Sequence, residues 1–252
     1  MRLQGDSGLY LSGSQVKIPT CGIFIIQPTI KDIVQFGENE FFTAIKMIGS
    51  PEDFFSSVKE GNSELNEFSN FQILLEVIKT DEGLIKNSFD KFFELCFPIY
   101  NVFYTQNSIN FSLQEDENNT VIGMIQMYNF ENFSTVVKEL FDPPDSRENK
   151  FNPANELAEK IAKKLEAARQ RTNKKSSDNF QSLFSFYTSI LSIGLQMDVN
   201  IFYNYTPFQL YDAFTRYISK QECDLYQKIA LQPFASTENM DEPDNWQRNL
   251  YN

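Results

Sequence analysis

The sequence predicts a mainly α-helical protein of the α+β kind, with helical lobes and a small antiparallel β-meander in the N-terminal half. Three observations predict it. Apolar residues recur at three- and four-residue steps, as in Phe68, Phe71, Leu74, Leu75 and Ile78. Caps and first-turn prolines precede several such stretches, as at Ser50-Pro51 and Thr206-Pro207. Between residues 99 and 128 the period drops to two, with Ile109, Phe111 and Leu113 alternating with Asn110, Ser112 and Gln114.

In chain order, residues 1–20 are polar and rich in Gly and Ser, which predicts a flexible or extended arm. Residues 21–142 form the first helical lobe. Ile23 to Ile26 is a strand-sized apolar run, and Thr29 caps a helix over 30–36. Gly37 allows a break before a helix over 41–48, and Ser50-Pro51-Glu52-Asp53 starts another. Two more helices follow, the one through Phe68 to Ile78 and one carrying Leu84, Ile85, Phe89, Phe92, Phe93 and Cys96, which Pro98 ends. Strands over 99–104, 109–114 and 121–128 make the meander, its central strand half-buried, and a helix over 130–140 closes the lobe. Residues 143–152 read as a linker and 153–175 as a basic helix. A second helical lobe occupies 176–235, with helices over 180–195 and 206–231. Residues 236–252 form an acidic and then aromatic tail.

Composition narrows the function. The chain of 252 residues carries 34 Asp and Glu against 22 Lys and Arg, a net charge of -12 that repels phosphate backbones and anionic lipid. Histidine is absent, which removes the commonest general base and metal ligand. No GxxxxGK[ST], GxGxxG or GxSxG pattern occurs, and carboxylate groups such as Glu115-Asp116-Glu117 match no metal loop. The expectation is a non-enzymatic binding protein with no catalytic residue, cofactor or metal. Three scattered cysteines without CxxC spacing predict buried thiols in a reducing compartment, and no apolar run has membrane-spanning length.

Two stretches carry candidate partner contacts. From Glu156 to Lys175 there are seven Lys and Arg against three Glu, so this segment is +4 and the rest of the chain -16. Its thin apolar stripe, Leu157, Ile161, Leu165 and Ala168, fits a solvated arm, docking on an acidic partner or second copy, or nucleic-acid contact. Nucleic acid fits least well, for want of interleaved aromatics. The candidate contacts here are Lys160, Lys163, Lys164, Arg169 and Arg171. In the helix over 206–231, Tyr211, Phe214, Ile218, Leu225 and Ile229 share a face that reads as core. Tyr205, Phe208 and Tyr217 flank it as candidate binding aromatics, with Trp246 in the tail.

Five segments in order carry a resemblance to a known family: Gln27 to Ile33 with Phe36-Gly37-Glu38 and Phe41-Phe42; Glu67 to Phe71; Ala158 to Leu165 with Arg169-Gln170-Arg171; Tyr205 to Asp212; and Asn245 to Leu250. Together they resemble the tail assembly chaperones and tail-morphogenesis-region proteins of phages and prophages of Gram-positive bacteria. The acidic 235–244 segment departs from the small-residue stretch expected there. The resemblance implies a protein that keeps a tape-measure or other tail protein soluble in the cytoplasm of the bacterial host during virion morphogenesis. The alternative it leaves open is a structural virion component, such as a baseplate, tail-terminus or connector protein. Self-association is compatible with either, and no membrane partner is expected.

Overall fold

The computed structural model describes residues 7–52, 55, 67–80, 83–116, 118–142 and 182–231. The chain divides into two units, residues 1–143 with 198–210, and residues 144–197 with 211–252. The fold is mainly α with two small antiparallel sheets, both in the N-terminal half, as the sequence predicts. The linker, the basic helix at 153–175 and the tail at 236–252 lie outside the described residues.

The first unit opens with α1 (Ser7–Leu11) and a hairpin of β1 (Val16–Ile18) and β2 (Ile23–Ile25). This corrects the expected arm, since residues 7–20 are largely folded. Each short strand buries its two isoleucine or valine ends and exposes its middle residue, the alternation of a half-buried hairpin. Helix α2 (Ile30–Phe36) starts at a capping box in which Thr29 accepts from the Asp32 amide and the Asp32 carboxylate accepts from the Thr29 amide. Gly37, at φ 120°, separates it from α3 (Glu38–Gly49).

Helix α4 (Asn70–Thr80) begins at a second reciprocal cap, between Ser69 and Gln72. Phe68 precedes that helix and is exposed, so it is not part of the predicted stripe. Helix α5 (Leu84–Cys96) follows, and then the meander of β3 (Tyr100–Tyr104), β4 (Ser108–Leu113) and β5 (Gly123–Gln126). Helix α6 (Phe130–Phe141) packs against α3.

The core of this unit is a phenylalanine cluster. Phe92, Phe93 and Phe97 meet Phe41 and Phe141 on one side and Phe111 and Phe133 on the other, at centroid distances of 5.4–6.2 Å. Each fully buried ring contributes about 1.5–3 kcal/mol by leaving water. The half-buried reading of β4 is corrected, because Ser108, Asn110 and Ser112 on its polar face are buried too. As the central strand, β4 has a neighbour on each side. Ser108 Oγ donates to Asn110 Oδ1 and Ser112 Oγ to Asn119 Oδ1, while Asn110 Nδ2 is buried without a hydrogen-bond partner among the described residues.

Residues 198–210 complete the first unit through α8 (Val199–Tyr203) and the first turn of α9 (Pro207–Ala230). The Ile30 amide donates to the Tyr205 carbonyl at 2.8 Å, and Gln209 Nε2 donates to the Leu11 carbonyl at 2.7 Å. The predicted capping box at α9 is present, with Gln209 Oε1 accepting from the Thr206 amide and Thr206 Oγ1 from the Gln209 amide.

In the second unit, the described residues are α7 (Leu183–Leu195), capped by Ser182, and α9 from Tyr211 onward. Tyr187 meets Tyr211 and Phe214 edge-on at 5.5 and 4.5 Å, and Phe184 stacks on Tyr211.

Candidate functional site

Of the predicted contact residues, Lys160, Lys163, Lys164, Arg169, Arg171 and Trp246 lie outside the described residues. Of the other three, Tyr205 and Phe208 belong to the first unit and Tyr217 to the second. Phe208 is only 7% exposed and meets Tyr10 of α1 edge-on at 5.3 Å, so it belongs to the core of the first unit. Tyr205 is half-buried against Phe202. Tyr217, in the second unit, is half-buried with its ring over Gly194 of α7, so close that a Cβ there would collide with it.

Within the second unit the face of α9 read as core is buried only at its start. Tyr211 is buried and Phe214 intermediate, but Ile218 is exposed and Leu225 is 56% exposed. On α7, Phe186 and Ile193 are exposed seven residues apart on one face, Ile193 at 81%. Phe186 and Phe214 approach to 6.4 Å. Apolar side chains are thus left open on both helices around their aromatic crossing.

The first unit holds a different surface. Between the second half of α5 and strand β3 lies an open concavity of about 580 Å³, lined among others by Phe36, Asp90, Phe93, Glu94, Val102 and Tyr104. Tyr104 Oη donates to Asp90 Oδ1 at 3.2 Å. Burial, then the charge of Asp90 and this hydrogen bond, push the Tyr104 pKa far up, so its hydroxyl stays protonated at physiological pH. Asp90 and Glu94 stand one helical turn apart, both exposed, and no cation pairs with either carboxylate among the described residues. The i, i+4 spacing of these acids was legible in the sequence. Their position beside a strand edge was not, because the lining residues come from separate elements.

Cys21 and Cys96 are buried and Cys223 is intermediate, so two of the three thiols are core groups. Burial raises the pKa of Cys21 and, more strongly, that of Cys96. Among the described residues no cluster of His, Cys, Asp or Glu is arranged to hold a metal ion, and no helix is long and apolar enough to cross a membrane. Comparisons with protein-family models, curated proteins and solved structures find no match to this chain.

Proposed function

We propose that the chain is a non-enzymatic phage tail assembly chaperone, binding a tape-measure or other tail protein while the virion is built in the host cytoplasm. The observation that supports this most directly is the open apolar face of α7 and α9, with Ile193, Ile218 and Leu225 in solvent. An amphipathic helix on a client can lay its apolar side against such a face, removing aggregation-prone surface from water. The net charge of -12 keeps the complex soluble. Release needs no nucleotide on this reading: tail-tube subunits compete for the same client surface.

The test is affinity purification of the chain from phage-producing cells, with mass spectrometry of its partners and of purified virions. A chaperone enriches the tape-measure or another tail protein and is absent from virions. Stoichiometric presence in virions makes the chain a structural part instead, and failure to enrich any tail protein removes the proposal. Replacing Ile193 and Leu225 by Ser should abolish the enrichment without unfolding the protein, because both side chains are already in solvent.

A further inference from the structure

The two edges of the three-stranded sheet are treated differently. Along β5, the Met124 amide donates to the Cys21 carbonyl at 3.0 Å, so the β1–β2 hairpin covers part of that edge. Strand β3 forms the opposite edge. Its hydrogen-bonded pairs with β4 are bracketed by Thr105 N to Ser108 O at one end and Gln114 N to Ile99 O at the other. In an antiparallel ladder such pairs recur at every second residue. Asn101 and Phe103 therefore direct their backbone groups to β4, and Val102 and Tyr104 direct theirs away from the sheet. Among the described residues, no backbone group pairs with Val102 or Tyr104 from outside the sheet. The strand, Tyr-Asn-Val-Phe-Tyr, carries no Lys, Pro or Gly of the kind that blunts an exposed edge.

Beside this bare edge lies the concavity under α5, and its chemistry is one-sided. Asp90 keeps one carboxylate oxygen free of its bond to Tyr104, and Glu94 has no partner among the described residues. Phe36, 37% exposed, and Val102 supply apolar wall. A Lys or Arg suits such a site, with its methylene stem on the apolar wall and its cationic head on the carboxylates. Successive side chains of a strand added to β3 alternate between the two faces of the sheet. Every second residue would then face the acidic groove.

We infer that the free edge of β3 and the groove under α5 bind an extended, basic polypeptide segment by strand addition, with Lys or Arg at alternate positions facing Asp90 and Glu94. A second copy pairing through the same edge is disfavoured by charge. Two chains of net charge -12 would meet there with Asp90 and Glu94 unpaired and no cation within β3 to answer them. The inference is independent of the helical face described above, because it concerns the first unit and main-chain pairing.

The probe is a fluorescein-labelled eight-residue peptide alternating Lys and Val, titrated into the full chain and followed by polarisation. Hydrogen exchange of the segment containing Val102 and Tyr104 is read by mass spectrometry. We expect saturable binding that slows exchange in that segment. Binding should weaken by about tenfold or more for a Glu-for-Lys peptide, and likewise for the Asp90→Asn, Glu94→Gln double variant. N-methylation of the peptide at alternate amides should abolish binding. So should Val102→Pro, which removes an outward N–H and leaves the β4 ladder intact. Where Val102→Pro impairs folding, the N-methylated peptide decides alone. No saturable binding overturns the inference, as does binding that survives N-methylation, which would be charge attraction without strand pairing. Dimerisation of the chain that protects the same segment without peptide also overturns it, in favour of self-pairing.

Discussion

Replacing Gly123 by alanine should detach the N-terminal hairpin from the sheet. A Cβ at this position would stand 2.5 Å from Ile23 Cγ2 and 2.6 Å from the Cys21 carbonyl oxygen. Relaxed carbon contacts lie near 3.5–4.0 Å, so the overlap is about 1 Å. The Ile23 methyl can move with its rotamer, but the carbonyl belongs to the backbone and accepts the Met124 amide. Relief therefore requires the hairpin turn to lift, which loses that hydrogen bond, worth about 1 kcal/mol. Overpacking adds about 1–3 kcal/mol, for a combined cost of about 2–4 kcal/mol. For a chain of this length that is a fall in Tm on the order of 4–16 °C. The assay is urea unfolding with hydrogen exchange at the Met124 amide, which should lose protection ahead of β4. Ile23→Ala in the same background should not rescue, because it leaves the carbonyl in place. A Gly123→Ala protein within about 0.5 kcal/mol of wild type, with Met124 still protected, would refute the reasoning.

Two further outcomes follow from the electrostatics. Glu40 is held below its ordinary pKa, first by its own backbone amide and then by Lys91, whose ammonium lies 3.3 Å away. A carboxylate with a lowered folded pKa stabilises the fold above its unfolded pKa, and that stability is lost as pH falls through the folded value. Lys91→Met should thus cost about 0.5 kcal/mol at pH 7, and the difference should shrink towards zero in acid; an equal difference in urea midpoint at both pH values would count against the pair. For the thiols, Ellman's reagent should modify Cys223 in the native protein, with Cys21 and Cys96 reacting only in denaturant. Three fast thiols in the native state would contradict the described burial.

The sequence disclosed most where a local rule coincided with the global one. The caps at Thr29 and Thr206 set α2 and α9, and Phe71, Leu74, Leu75 and Ile78 of α4 and Phe89, Phe92, Phe93 and Cys96 of α5 became core. It disclosed least where short elements rely on distant partners. Strand β2 was legible as the apolar run from Ile23, but β1 has three residues, too few for a periodic signal, although Val16-Lys17-Ile18 does alternate before the turn at Pro19 to Gly22. Phe208 looked peripheral because it lies off the Tyr211 face of its helix. It is buried by Tyr10, in a segment whose composition suggested an arm. The stripe of α9 was read as uniform core, yet burial fades past Phe214 because apolar spacing specifies a face and not what covers it. The acidic groove was hidden because sequence shows spacing within α5 but not the strand edge beside it.

The first unit is discontinuous, since residues 198–210 return to it after an excursion of residues 144–197. This sets the order of events during synthesis. The amide of Ile30 has to wait for the carbonyl of Tyr205, and the carbonyl of Leu11 for the side chain of Gln209. At ordinary elongation rates the interval between residues 143 and 210 lasts on the order of 3–13 s. Throughout it, the surfaces that Phe202 and Phe208 will cover are bare on a tethered nascent chain. Lengthening the excursion costs little once the chain is free, about 0.6 kcal/mol for each doubling of the closed loop. Its length therefore bears more on how long an incomplete chain is exposed to other nascent polypeptides than on the stability of the finished one.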